Sequence, residues 1–119
     1  MKLVLDAEQQ ELRAAVRRFL ADRSPSERVR AVMESERGHD DAVWSGLAEI
    51  GALGLVVPEE LGGAGAGHVE RSVVAEELGR ALTPAPFLAS AVLATDALLA
   101  LDDDAARTEL LPALAAGER

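Results

Sequence analysis

Residues 44–67 read WSGLAEIGALGLVVPEELGGAGAG, and the order of the pieces in this stretch decides the fold. Trp44, Leu47 and Ile50 recur at the spacing of one helix face, and Gly51 is a typical helix end. A short apolar segment follows without the alternation of apolar and polar residues that marks a half-buried strand. The stretch therefore predicts a buried helix that ends in an apolar turn.

The chain then turns at residues 58–60 and passes through a glycine-rich loop, residues 62–67. A dinucleotide-binding fingerprint needs glycines at i, i+2 and i+5, and a P-loop needs a lysine after its last glycine. His68 stands where the fingerprint that starts at Gly63 requires its last glycine and where the P-loop that starts at Gly62 requires its lysine. The loop is predicted to be a structural turn between helices rather than a phosphate site.

Two more helices are predicted before this stretch. Asp6 is a typical N-cap, and Gln9 three residues later completes a capping box. The helix that follows carries an apolar stripe: Leu12, Val16, Phe19 and Leu20. After a break at residues 24–26, a second helix is predicted over residues 27–37, with a thinner stripe of Val29, Val32 and Met33. Residues 38–41 end it and supply the next N-cap.

Three helices are predicted after the glycine loop. The first spans residues 69–80, with one face formed by Val74, Leu78, Ala81 and Leu82, and prolines in residues 83–86 end it. Residues 87–101 are apolar nearly all round, which predicts a helix surrounded by other elements. Aspartates 102–104 cap a last helix with a buried face of Leu110, Leu111 and Leu114. Pro112 is expected to kink or end this helix, and Gly117 to cap it.

Composition supports one all-α domain over residues 1–119, a compact bundle of about six short helices. A chain of 119 residues can bury a real core without staples. Cysteine is absent, which excludes disulfides and thiolate metal sites. The compartment is left open by this absence.

The charge is negative and unevenly placed, with a net value of −9. Residues 1–37 carry eight basic and seven acidic groups, and residues 38–119 carry four and fourteen. An acidic body argues against nucleic-acid binding and against docking on an anionic membrane. The sequence opens without a signal-peptide pattern, and its longest apolar run is too short to span a membrane and contains Asp96. We expect a cytoplasmic protein.

The polar residues do not form a catalytic or metal centre in sequence. His39 and His68 lack a second ligand at metal spacing, and aspartates 102–104 lack the glycine and distal glutamate of a calcium loop. Glu76 and Glu77 are adjacent in mid-helix and point apart, so a shared catalytic proton is not expected. Trp44 is expected in the core. The hydroxyls of Ser90 and Thr95 are expected to bond the carbonyls four residues earlier.

Four segments together resemble the N-terminal helical domain of the acyl-CoA dehydrogenase family. They are LDAEQQELR at residues 5–13, the block at 44–65, VVAEELGRALTPAPF at 73–87 and ELLPALAAGER at 109–119. The resemblance implies an FAD-dependent α,β-dehydrogenation of acyl-CoA thioesters, with electron-transfer flavoprotein or a similar acceptor and a homo- or hetero-oligomer as the complete enzyme. It also implies a middle β-domain and a C-terminal helical domain that hold the flavin and the catalytic glutamate. Neither domain is represented in this chain, so no catalytic or cofactor-binding residue is assigned, and the chain alone is expected to be inactive.

The same resemblance places one wall of the acyl cavity on the helix after the two prolines. The candidate substrate-binding residues there are Ser90, Ala91, Ala94 and Phe87. Small side chains would leave room for a long, branched or polycyclic acyl group, and Ala91→Phe in the complete enzyme is expected to shift chain-length preference. An equally weighted interpretation is that these are small core residues at a helix crossing.

Two other interpretations stay open from sequence. One is a catalytically inert helical interaction module or subunit. The other keeps the fold but changes the chemistry to that of a related flavin-dependent oxidase or monooxygenase, which fold-level analogy does not separate.

Overall fold

The computed structural model describes residues 4–118, which fold into six α-helices without a β-strand in that range. Residues 1–3 and 119, the ends of the predicted single domain, lie outside the described range. The helices, in chain order, are α1 Ala7–Arg23, α2 Ser26–Met33, α3 Asp41–Glu49, α4 His68–Arg80, α5 Thr95–Ala100 and α6 Asp104–Ala115. A 3-10 turn spans Glu59–Leu61, and a π-helical segment, Leu88–Ala94, runs directly into α5. The prediction of an all-α bundle is confirmed.

Side-chain caps fix three helix starts where the sequence predicted them. Asp6 and Gln9 form a reciprocal capping box on α1, with hydrogen bonds of 2.8 and 3.0 Å. Asp40 accepts from the first amides of α3, and Asp103 does the same for α6. Beyond α6, Gly117 takes a φ of +75°, and its amide bonds the Leu114 carbonyl.

The core has two parts joined by the apolar segment between α3 and the glycine loop. The larger part lies between α1, α3 and α4, and the segment adds Ala52, Leu53 and Leu55 to it. The smaller part lies between α5 and α6, and Val57 from the same segment is fully buried there. This segment therefore ties the two halves of the bundle together.

The glycine-rich loop folds back on that apolar segment. The amides of Ala64, Gly65 and Ala66 donate to carbonyls of residues 54, 57 and 55 at 3.0, 2.9 and 2.7 Å. A Cβ on Gly63 would overlap the Val57 backbone, so only glycine allows this approach. The loop is a structural turn, as predicted, and much of its amide donor capacity is used by the chain itself.

Several sequence predictions were wrong in detail. The second helix ends at Met33 rather than residue 37, because the Ser35 hydroxyl bonds the Val32 carbonyl at 2.6 Å and competes with the helix. Met33 is 69 % exposed instead of lining the core. Ile50 follows the end of α3 and is half-exposed. Pro112 does not end α6, which continues for three more residues.

The region after α4 also differs from expectation. Leu82 does not extend the buried face of α4; it lies beyond the helix end with a φ of +54° and is exposed. The helix over residues 87–101 is not surrounded within the described chain, because Leu88 and Leu93 are 65 % and 60 % exposed. Its first half is π-helical, a register for which the sequence offered no signal.

Candidate functional site

A cleft of about 520 Å³ opens beside the π-helical segment, which supplies one wall. Trp44 of α3 and Leu114 of α6 lie on the other sides, and Gly117 lies at the end of α6. The residues of the first wall are Pro86, Ala89, Ser90 and Ala94. These small and apolar lining groups come from three elements that are distant in sequence.

The four predicted substrate-binding residues divide between this cleft and the core. Ser90 and Ala94 line the cleft. Ala91 is 1 % exposed and Phe87 is 6 % exposed, and both pack in the larger core cluster. Two of the four predicted residues therefore line the cleft, and the other two lie in the core.

The Trp44 side chain is fixed by the end of the described chain. Its indole Nε1 donates to the Gly117 carbonyl at 3.1 Å, and the residue is 7 % exposed. Sequence analysis placed Trp44 in the core correctly but missed that it also lines the cleft. The signal that could have found this is Gly117, because a C-terminal glycine turns the chain back over the preceding helices.

Charged groups surround one rim of the cleft. The Arg37 guanidinium lies 3.3 Å from Asp41, and the His39 Nε2 atom lies 3.2 Å from the same carboxylate. All three residues line the cleft but are accessible to water. Within residues 4–118, no group of three or more His, Cys, Asp or Glu could hold a metal ion.

Arg71 of α4 binds the π-helical segment and the start of α5. Arg71 is only 11 % exposed and forms two hydrogen bonds with Asp96, at 2.7 and 2.9 Å. It also donates to the Ala91 carbonyl at 3.3 Å and lies 2.9 Å from the His68 Nδ1 atom. The bonds from Arg71 lower the pKa of the Asp96 carboxyl below its usual range. The wall is thereby anchored to α4.

A buried carboxylate joins α1 to α4. Glu77 is 1 % exposed, and Arg17 donates to both its oxygens at 2.8 and 2.9 Å. These bonds lower the pKa of Glu77 below its ordinary value. Glu76 is exposed and accepts a hydrogen bond from Arg13 at 3.0 Å, and the same guanidinium lies 3.8 Å from the Glu77 carboxylate. Sequence analysis missed the burial of Glu77, although its position four residues after Val73 places it on the inner face.

A second cleft, of about 530 Å³, lies between α1, α2 and the end of α4. Its lining includes Arg17, Arg80 and the exposed Met33 and Leu82. None of the predicted substrate-binding residues lies there.

The chain is similar in sequence to known proteins. The family profile described as "Acyl-CoA dehydrogenase, N-terminal domain" matches residues 6–118. The chain belongs to this family. It is 44 % identical over 112 residues to acyl-CoA dehydrogenase IpdE2 of Mycobacterium tuberculosis, an alignment that covers 92 % of the chain and 35 % of IpdE2. It is 29 % identical over 116 residues to the mitochondrial isovaleryl-CoA dehydrogenase of Pongo abelii, covering 96 % of the chain and 27 % of that enzyme.

Solved structures agree. The ChsE4–ChsE5 complex from Mycobacterium tuberculosis superposes with a TM-score of 0.90 at 28 % identity, over 100 % of this chain and 33 % of that one. A variant of the Tcur3481–Tcur3483 steroid ACAD gives a TM-score of 0.86 at 35 % identity, over 94 % and 30 %. The chain thus spans about a third of the relatives it matches.

None of the helices within residues 4–118 combines the length and the apolar character needed to cross a bilayer.

Proposed function

We propose that this chain is the N-terminal helical domain of an FAD-dependent acyl-CoA dehydrogenase and that it forms one wall of the acyl cavity. The observation that carries the proposal is the cleft whose wall contains Ser90 and Ala94, in a chain that matches the family domain over residues 6–118. The complete enzyme would remove hydrogen from the α and β carbons of an acyl-CoA thioester and pass electrons to an electron-transfer flavoprotein or similar acceptor.

The glycine-rich loop does not fit the pyrophosphate of FAD, because the amides of Ala64, Gly65 and Ala66 donate to carbonyls of their own chain. We therefore propose that FAD is held mainly by parts of the enzyme outside residues 4–118. The family resemblance implies that the catalytic base lies there as well. Residues 4–118 would then shape the acyl site and exclude water from it.

The small wall residues favour a bulky acyl group. Ala89, Ser90 and Ala94 leave the cleft open opposite the Trp44 ring. Cavities of a few hundred Å³ lined mainly by apolar groups are typical sites for apolar ligands. One structural relative is named as a steroid ACAD, which supports a polycyclic or branched acyl substrate for the complete enzyme.

The test is to fill the cleft in the complete enzyme. Ala94→Phe is expected to lower kcat/KM for a bulky acyl thioester about tenfold relative to a short one, because steric exclusion acts on the larger substrate first. Ala97→Phe is the matched control, since Ala97 is exposed and does not line the cleft. An unchanged ratio in Ala94→Phe would refute the wall.

Ala91→Phe is a weaker test of the same proposal. Ala91 is buried in the core, so a phenyl ring there costs about 1–3 kcal/mol of overpacking before any substrate is bound. A change in activity would then report packing as well as cavity shape.

Cofactor assignment has its own measurement. The purified 119-residue chain is mixed with excess FAD and desalted, and its visible absorption spectrum is recorded. A colourless protein is expected, because the glycine-rich loop offers no pyrophosphate cradle. Retained flavin would overturn the assignment of FAD to other parts of the enzyme.

Exposed leucines in and directly after the helix of residues 88–100 are compatible with one further candidate function, a catalytically inert interaction module or subunit, and equally with a domain that other parts of the enzyme cover. Leu88, Leu93 and Leu101 are all more than half exposed, which is typical of a surface that another protein surface covers. Sedimentation velocity separates the candidates: a chain that stays monomeric at high concentration favours an independent module.

Reoxidation of the complete enzyme by oxygen, rather than by a flavoprotein acceptor, would identify an oxidase or monooxygenase.

Oligomer formation of the complete enzyme is part of the proposal. One structural relative is a complex of two different chains, ChsE4 and ChsE5. We infer a homo- or hetero-oligomer here as well, and we propose a cytoplasmic location for the complete enzyme.

A further inference from the structure

The wall helix changes register where it leaves the cleft. Residues Leu88–Ala94 are π-helical, and α5 begins at Thr95. The Thr95 amide bonds the Ser90 carbonyl five residues earlier, and the Thr95 hydroxyl donates to the same carbonyl at 3.0 Å. Sequence analysis expected a bond four residues back, so this difference is a direct mark of the wider turn. Single π turns inside helices are frequent at functional sites.

Arg71 reinforces this register from outside the helix. Its guanidinium reaches the Ala91 carbonyl within the π segment and both oxygens of Asp96 just after it. The side chain is 11 % exposed, and the His68 ring lies against its other nitrogen at 2.9 Å. Arg71 therefore bridges the two sides of the register change and has little freedom to leave it.

The register decides which side chains face the cleft. One residue more or less per turn rotates the helix on one side of the change by about 100° relative to the other. The core holds both sides: Phe87 and Ala91 are 6 % and 1 % exposed before the change of register, and Leu98 is 8 % exposed after it. Relaxation to an α register would rotate one side relative to the other and so change which side chains the segment presents to the cleft.

We propose that Arg71, Asp96 and Thr95 form a clamp that holds the π register and so sets the size of the acyl group that the wall accepts. They are positioning residues: they act through Ser90 and Ala94 and do not touch the substrate. The inference rests on the proposed function of the wall. Its structural half, that the clamp holds the register, is measurable without any substrate.

The structural half is tested by NMR on the labelled 119-residue chain. Nuclear Overhauser contacts between residues five apart across 88–95 are expected to give way to contacts four apart in Thr95→Val and in the double variant Thr95→Val, Arg71→Lys. Thr83→Val is the matched hydroxyl control, because Thr83 contacts Ser24 at 3.3 Å outside the wall. Arg28→Lys is the matched arginine control, since Arg28 also forms a two-bond pair, with Asp40.

The NMR contacts of these variants decide whether the clamp holds the π register. Five-residue contacts that persist in the double variant would overturn the clamp. If the double variant fails to fold, Asp96→Asn keeps the shape of the side chain and removes only the charge that holds Arg71. Unchanged five-residue contacts in Asp96→Asn would overturn the clamp in the same way.

The functional half is tested in the complete enzyme beside the wall variants. Thr95→Val and Asp96→Asn are expected to change the ratio of kcat/KM for bulky and short acyl thioesters about tenfold, a change that Arg28→Lys does not produce. A shift in Ala94→Phe without one in the clamp variants would overturn the clamp and leave the proposed wall intact. An unchanged ratio in both sets would overturn the wall, and with it the clamp as a determinant of substrate size.

Discussion

Glu77 and its neighbour Glu76 have the same side chain and lie in opposite environments. Glu77 is 1 % exposed and paired with Arg17, whereas the Glu76 side chain is 66 % exposed and paired with Arg13. Removing one partner of a buried pair leaves the other charge without compensation. Half of the Arg17 side chain is in water, so the cost falls below that of a fully buried pair.

We expect Glu77→Ala to lower the free energy of unfolding by about 2–3 kcal/mol. Glu76→Ala is the matched control and should cost less than about 1 kcal/mol, because exposed pairs contribute little. Urea denaturation followed by Trp44 fluorescence measures both variants. Equal losses in the two variants would contradict the assignment of Glu77 as a buried tie between α1 and α4.

Leu82 adopts a backbone conformation that its side chain disfavours. Its φ is +54°, the left-handed region, and 75 % of the residue is exposed. The left-handed conformation costs an L-residue about 1–2 kcal/mol, and asparagine tolerates it better than leucine does. Little apolar burial is lost on substitution.

Leu82→Asn should therefore raise the free energy of unfolding by about 0.5–1 kcal/mol. Leu88→Asn is the control, since Leu88 is 65 % exposed but lies in the helical wall segment, and no gain is expected there. Thermal unfolding by circular dichroism compares the two. A destabilised Leu82→Asn would indicate that the leucine contributes contacts that outweigh its backbone strain.

At the scale of elements, the glycine loop depends on one close approach. A side chain at Gly63 would overlap the Val57 backbone, while a Cβ on Gly79, in the last turn of α4, would have nothing within 4 Å. The same substitution should therefore have opposite effects at these two positions. Gly63→Ala must displace the loop from the segment that joins the two core clusters.

We expect Gly63→Ala to destabilise the chain by about 2–3 kcal/mol, within the range for overpacking. Gly79→Ala should stabilise it by about 0.5–1 kcal/mol, because alanine loses less backbone entropy in a helix. Chemical denaturation of both variants gives the comparison. Near-equal stabilities would show that the loop is free to move away from Val57.

The elements also show where sequence reasoning reached its limit. Caps were predictable because they depend on local residues: Asp6 with Gln9, and Asp40, act within three residues of themselves. The π segment was not predicted, because the Arg71 contacts that reinforce it are brought together only by the folded chain. Arg71 lies twenty residues from the Ala91 carbonyl that it bonds.

The candidate site, too, could be predicted from the sequence only in part. The resemblance indicated a helix that does line a cleft, but which face of that helix lines it depends on a register that the sequence did not predict. Ser90 and Ala94 consequently line the cleft while Ala91 and Phe87 lie in the core. Met33 was predicted on the apolar stripe of the second helix but is the last residue of α2 and is exposed.

At the scale of the whole molecule, arginine–carboxylate pairs join successive helices across the bundle. Arg17 with Glu77 joins α1 to α4, and Arg71 with Asp96 joins α4 to α5. Arg28 of α2 donates to Asp40, the N-cap of α3, at 2.8 Å. Each carboxyl has a pKa lowered by the bonds from its arginine. The acidic groups of this chain therefore contribute to stability although its net charge is −9.

Their protonation predicts how stability depends on pH. A carboxyl whose pKa is lowered in the folded chain binds fewer protons there than in the unfolded chain at the same pH. Its contribution to the free energy of unfolding is therefore present above the pKa of the unfolded chain and is lost as the pH falls through the folded pKa. For Glu77 that loss begins near its ordinary value of 4.5 and continues through the lower folded pKa. Glu77→Gln removes the titrating group without changing its shape. The free energies of unfolding of the wild-type chain and Glu77→Gln should therefore differ most above pH 5 and converge below pH 4, roughly.

Urea titrations at a series of pH values measure this convergence. Glu109→Gln, an exposed change in α6, is the control and should leave the pH profile of the wild-type chain unaltered. Parallel profiles for the wild-type chain and Glu77→Gln would mean that Arg17 binds the carboxylate no better than water does. A convergence confined to Glu77→Gln would instead identify the tie between α1 and α4 as one of the contacts that fails first in acid.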